Sequence, residues 1–402
     1  MIQKIWKQQF FKDSFWTMLA LCIFNVILQF VVYPFLNRTL GTEEYGNILF
    51  LLSVINIVAI SIGISANNRR MVASSFSKTS NAEYNLFIGI ISVFFLPLCF
   101  LISNIFHTGQ GIVDIFLFWI LMCLTTWRYY SDVEFRLNLN YRGYFVYYLL
   151  IGVGYLAGIF LFRCFNQWEL ILIPGEMMGI FYVFCKGSIY KKTDLNKEKL
   201  VIFLKAVAYL IASQLLIQIV FNSDRFILKL FSGGVAVTIY YIASLMGKTI
   251  ALLSTPLNSV IIGYLAKSKE EMTVNRWIKI VVLCIFLAGT ALIACIVASN
   301  FVIRILYPQE YSLAKPFFVV ANLAQITYFS TGILATILLR YVEEKYQLYI
   351  TVGYIFAFLA VVIPVTWMCG LEGFAYAILG VNCLRFVFVF LVMMRKIYRT
   401  KS

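Results

Sequence analysis

The sequence predicts an all-α polytopic membrane protein of about 12 transmembrane helices, built as two six-helix bundles related by a pseudo-two-fold along the membrane normal. Three observations lead to the membrane class, and the division into two halves follows from the central linker, the repeated hook and the resemblance described below. Of 402 residues, 62% are hydrophobic and 13% are charged, with a mean hydropathy of +0.87, which leaves too little charge to cover a soluble surface of this size. Apolar runs of roughly 20 residues recur along the whole chain, each long enough to cross about 30 Å of hydrocarbon as a helix. The runs are unbroken, whereas a membrane barrel needs short segments of alternating polarity.

The first run, "SFWTMLALCIFNVILQFVVYPFL", is too long for a signal-peptide core and lacks a small-residue cleavage site, so it reads as a retained span. A short hook, "NRTLGTEEYG", separates it from the second run, "NILFLLSVINIVAISIGISA". The spans fall at roughly 14–36, 46–66, 84–106, 112–132, 143–165 and 168–186 in the first half, and at roughly 200–222, 235–262, 277–299, 314–340, 346–368 and 372–394 in the second. Alternate connections, among them "NNRRMVASSFSK", "KGSIYKKTDLNKEK", "AKSKEEMTVNR" and the terminal "MRKIYRTKS", carry most of the Lys and Arg. That asymmetry puts both termini in the cytoplasm. The hydrophilic linker near the middle divides the chain into residues 1–190, a linker 191–199, and residues 200–402.

The net charge of +15 is spread through these connections, as the positive-inside bias requires, and calls for no nucleic-acid partner. The nine cysteines stand singly in apolar runs and read as packing residues. With His107 the only histidine, neither a metal site nor a His-based triad has its donors, and no cofactor is expected. A polymerase or glycosyltransferase is the rival enzyme class. It would need a large non-cytoplasmic loop or an acidic DxD cluster, and the chain has neither.

The hook has an echo. "KLFSGGVAVTIYYIASLMGK" aligns with it without gaps, setting Gly41 on Gly233, Gly46 on Thr238 and Asn56 on Lys248. Each hook joins the first two spans of its half on the non-cytoplasmic side, which points to an internal duplication.

"LNRTLGTEEYGNILF", "NSDRFILKLFSGGVAVTIYYIASLMGK", "LYPQEYSLAKPFFVVANL" and "GLEGFAYAILGVNCLRF" resemble the turn and packing motifs of the polysaccharide-transport branch of the multidrug/oligosaccharidyl-lipid/polysaccharide exporter superfamily, whose members include the Wzx-type O-antigen flippases. The resemblance covers the whole chain. It implies two six-helix bundles around a cavity open to one face at a time, in the inner membrane of a bacterium. It further implies export of undecaprenyl-diphosphate-linked oligosaccharide of O-antigen or capsule type, H+ or Na+ as coupling ion, and polymerase and chain-length proteins as partners. A small-molecule or drug antiporter of the same superfamily is the alternative. The hooks become tight helix-to-helix turns, with Glu43 and Glu44 suited to a helix N-terminus.

Polar residues inside spans mark packing contacts or a wet cavity. Asn25 and Gln29 stand four apart in the first span; Gln214, Gln218 and Asn222 repeat that spacing in the seventh, with Arg225 following. Both stripes, with Asn56, are cavity candidates, and amide glue between helices is the other reading. Lys248 and Arg385 lie deep in apolar surroundings, where lipid exposure costs ~2.5–3.5 kcal/mol. Lys248 is the first choice for a diphosphate contact, against pairing with an acid such as Glu176; Arg385 can instead snorkel. Glu176, beside Pro174, and Asp224, beside Arg225, are the ion-coupling candidates, with simple pairing to Arg225 the alternative for Asp224. Gly154/Gly158 and Gly175/Gly179 form GxxxG patterns for close helix approach, and Pro34, Pro97, Pro256 and Pro364 are expected to kink their spans.

Overall fold

The computed structural model describes residues 2–74, 81–106, 111–251, 272–342 and 344–401. Its described elements are all helical. Nine helical stretches among the described residues are long and apolar enough to cross a membrane. In chain order α1 is Asp13–Leu40, α2 Thr42–Ser74, α3 Asn81–Phe106, α4 Ile112–Leu137 and α5 Tyr141–Phe165. The shorter α6, Glu169–Lys186, follows. Leu200–Ile250 is one stretch broken at Gly233 into α7 and α8, and Tyr349–Tyr398 is broken at Gly370 into α11 and α12. Val274–Leu306 is α9 and Tyr311–Leu338 is α10. These helical segments among the described residues fall on the predicted apolar runs, and the end of the 235–262 run lies outside the described residues. Pro256 and His107 lie outside the described residues.

The breaks have a backbone cause. Gly41 (φ 85°, ψ 170°) ends α1, and Gly233 (φ 78°, ψ −178°) separates α7 from α8. Both occupy a region of φ/ψ space that is closed to side-chain-bearing residues. The two hook glycines that align in sequence therefore adopt the same conformation. Glu43 and Glu44 follow Gly41 in the first turn of α2. Two prolines act through the turn before them: Pro34 follows a π-helical turn at Ile27–Val32, and Pro364 follows another at Phe358–Val362. A widened turn accommodates the missing N–H and the ring's clash with the carbonyl four residues back.

By contact the chain divides into two compact units: Met1–Gly41 with Leu51–Ser223, and Thr42–Phe50 with Asp224–Ser402. This division differs from one at the hydrophilic linker in two places. Residues 200–223 belong to the first unit because the start of α7 packs there, with Phe203 against Tyr84 (4.5 Å) and Phe87 (5.4 Å). Residues 42–50 belong to the second, where Thr238 donates to the Thr42 carbonyl (2.7 Å) and Phe50 meets Phe226 (5.0 Å). Gly46 and Gly234 permit this approach, since a Cβ on Gly46 would collide with the Gly234 backbone.

In the first unit α5 packs along α6 through the predicted glycines. Gly154 lies on the Gly175 backbone, Gly158 on Ile171, and Gly175 and Gly179 against Ile151. Small residues let backbones approach where lipid offers no hydrophobic drive for association. In the second unit Trp277, Leu334, Leu338, Val389 and Met393 form an apolar core joining α9, α10 and α12. Many large apolar side chains remain exposed, such as Phe94, Phe181, Phe286 and Phe301, which suits a surface solvated by lipid.

Candidate functional site

In the second unit the chain turns at Gly233, so that α8 runs back along α7 and Lys248 meets Asp224. The pair is largely buried, with side chains 11% and 9% exposed. Asp224 thus takes Lys248 rather than its neighbour Arg225, and Lys248 takes Asp224 rather than Glu176. Arg225 is buried beside them. Its guanidinium stands over the Tyr241 ring (5.1 Å to the centroid), as does the Lys248 ammonium (5.9 Å). Nε and Nη1 of Arg225, and Oδ1 of Asp224, have no hydrogen-bond partner among the described residues. Two cations therefore stand over one tyrosine ring, and the carboxylate is paired with Lys248. The cluster carries surplus positive charge at a place where charge is expensive to keep.

Arg385 forms a second cationic position in the same unit. Its guanidinium lies over the rings of Tyr328 (4.6 Å) and Tyr354 (5.1 Å). It makes no ion pair among the described residues. Asn382 fixes the support: it accepts from the Tyr354 hydroxyl (3.1 Å) and donates to the Ala324 carbonyl (2.9 Å).

The amide stripes lie in the first unit. Gln29 donates to Asn25 (3.4 Å), which caps the Leu21 carbonyl (2.7 Å). Gln29 falls in the π-helical turn of α1, and Asn56 opens another at Asn56–Ile60 in α2. Asn56 donates to Asn222 (3.1 Å), which in turn donates to the Gln218 side chain (3.3 Å); Gln214, a turn earlier, is half-buried. Asn56 and Lys248, aligned across the two hooks, thus each reach a residue of α7.

Glu176 is elsewhere, and its surroundings are closed. It pairs with Arg128 Nε at 2.5 Å, with side chains 3% and 4% exposed, and accepts the Tyr155 hydroxyl at 2.6 Å. Arg128 is flanked by the rings of Tyr129 (4.1 Å) and Phe24 (5.3 Å). The sequence reading passed over Arg128, although a lone arginine in "LTTWRYYSD" carries the same burial argument as Lys248. It also passed over Tyr241, whose role depends on the Gly233 turn, and over the buried asparagines Asn322 and Asn382, which look like ordinary polar residues in apolar runs.

No family model and no curated protein sequence matches the chain. Solved structures do. The lipid II flippase MurJ in an inward-closed conformation is similar with a TM-score of 0.70 at 13% identity, over 96% of this chain and 87% of that one. An inward-facing multidrug resistance MATE transporter of the MOP superfamily gives 0.70 at 12% identity, over 96% and 99%. A MOP superfamily transporter from Pyrococcus furiosus, described as having a binding pocket of reversed polarity, gives 0.65 at 12% identity, over 98% and 97%. The chain is therefore a multi-pass helical membrane protein with the fold seen in these MOP-superfamily transporters.

Proposed function

We propose that the protein is a flippase for isoprenoid-diphosphate-linked oligosaccharides, of the O-antigen or capsule type, moving them from the cytoplasmic to the outer leaflet by alternating access. The observation that carries this reading is the cationic cluster on Tyr241: Lys248 and Arg225, largely buried in membrane-spanning helices, with one carboxylate, Asp224, paired to Lys248. A lipid diphosphate entering bare hydrocarbon loses its hydration, and fixed, partly unpartnered cations replace it with charge-assisted hydrogen bonds. Asp224 holds Lys248 until phosphate oxygens compete for it. Arg385 on its two tyrosines supplies a further anion contact. Tyr241, Tyr328 and Tyr354 offer ring faces for the sugars beside these cations. The likeness to a lipid II flippase supports the lipid-linked class. Asp224 is the better-placed coupling acid for H+ or Na+, since Glu176 is engaged by both Arg128 and Tyr155.

The likeness to multidrug transporters supports a second reading, small-molecule antiport, and the two part experimentally. A deletion strain should accumulate the lipid-linked repeat unit on the cytoplasmic leaflet, and Lys248→Ala at normal protein level should fail to clear it, while Lys248→Arg restores part of the activity. Normal surface polymer in the deletion strain, with lost drug efflux instead, would favour the antiporter. The basic connections support cytoplasmic termini, and on that topology a cysteine at Thr42 should label from outside intact cells. Labelling only after permeabilisation would reverse that topology.

A further inference from the structure

We infer that Asn322 is a positioning residue for Lys248. Asn322, in α10, is 0% exposed. Its Oδ1 accepts from the Gly247 backbone N–H at 2.6 Å, and its Nδ2 donates to the Ala243 carbonyl at 3.0 Å. These are the donor and acceptor of a single helical rung, four residues apart, so one side-chain amide grips both ends of the last turn of α8 before Lys248. Nδ2 also donates to the Phe318 carbonyl of its own helix at 2.7 Å, and this fixes the amide's orientation. Access depends on the glycine. A Cβ on Gly247 would meet Asn322 Oδ1 and the Gln325 Cβ, each at 3.0 Å.

The consequence lies one residue further on. Asn322 sets the backbone at Gly247, and with it the origin from which the long Lys248 side chain reaches Asp224 and the Tyr241 ring. Simple helix-to-helix glue would also donate hydrogen bonds, but it would loosen the whole unit when removed. A positioning role is local to Lys248. What the positioning serves rests on Lys248 being the diphosphate contact; the positioning itself does not.

The full chain in detergent would be treated with a limiting amine-acylating reagent, and the modification rates of Lys248 and Lys229 compared by mass spectrometry. Lys229, hydrogen-bonded to Asn47 at 2.6 Å, reports on general loosening of the same unit. Asn322→Leu should raise the Lys248 rate severalfold and leave Lys229 unchanged. Gly247→Ala, which keeps the asparagine but crowds its amide, should act in the same direction and remains informative if Asn322→Leu does not fold. An unchanged Lys248 rate in the folded variants, or an equal rise at Lys229, would overturn the proposal. In reconstituted vesicles Asn322→Leu should slow flipping of an isoprenoid-diphosphate oligosaccharide severalfold, and add nothing to Lys248→Ala. Wild-type flipping by Lys248→Ala would overturn the substrate reading alone, with the labelling rates still deciding Asn322.

Discussion

Arg128–Glu176 in the first unit and Lys248–Asp224 in the second are both ion pairs buried among membrane helices, but they differ in charge balance and in enclosure. Around Glu176 one cation meets one acid, a tyrosine hydroxyl takes up a carboxylate oxygen, and aromatic rings flank the guanidinium. Around Asp224 the acid is paired with Lys248 while a second cation, Arg225, stands over the same tyrosine ring. Polar atoms without a hydrogen-bond partner among the described residues occur at both sites, Arg128 Nη1 as well as Arg225 Nη1, so the contrast lies in charge balance and exposure. A buried pair is weak grounds for stability, because desolvation offsets much of the attraction. The pair that is balanced and enclosed reads as architecture. On the proposed function, the one with surplus charge is the contact for the anionic substrate.

The largest expected effect falls on the closed pair. Glu176→Leu strands Arg128 without its counter-ion and should lower stability by about 3–5 kcal/mol, visible as lost folded protein in detergent thermal melts. Wild-type melting would remove the contrast. Next come the hook glycines. Gly41→Ala and Gly233→Ala should each cost about 1–3 kcal/mol, and the two costs should be similar because the conformations match. A large difference between them would show that the hooks are not equivalent. The last effect sharpens the open pair. Arg225→Gln loses a buried ring contact worth about 2 kcal/mol, yet should slow flipping more than that loss of stability explains. Equal effects on both would return Arg225 to a packing role.

Much of the fold was legible because lipid imposes a coarse rule: long apolar runs, small residues where helices touch, and glycine where the chain must turn. Gly41, Gly233 and the four GxxxG glycines follow that rule. Pairing was not legible. Whether Lys248 takes Asp224 or Glu176 depends on how α8 returns along α7 after Gly233, a three-dimensional fact absent from spacing. Asp224 ignores an adjacent arginine for the same reason. The π-helical turns at Gln29 and Asn56 leave no pattern in composition, and Asn322 differs from any other asparagine only in which rung it grips. The candidate residues stand out in the sequence as polar outliers, and they fall into separate groups within the two units.

The central claim, that one pair is architecture and the other a substrate site, is tested most directly by neutralising each pair completely. Flipping of an isoprenoid-diphosphate oligosaccharide would be measured in vesicles containing equal amounts of folded protein. Arg128→Met with Glu176→Leu removes one pair without stranding a charge, and should flip at close to the wild-type rate. Lys248→Met with Asp224→Leu should remain folded and lose flipping. Equal rates for the two double variants, or loss confined to the Arg128 and Glu176 variant, would contradict the account.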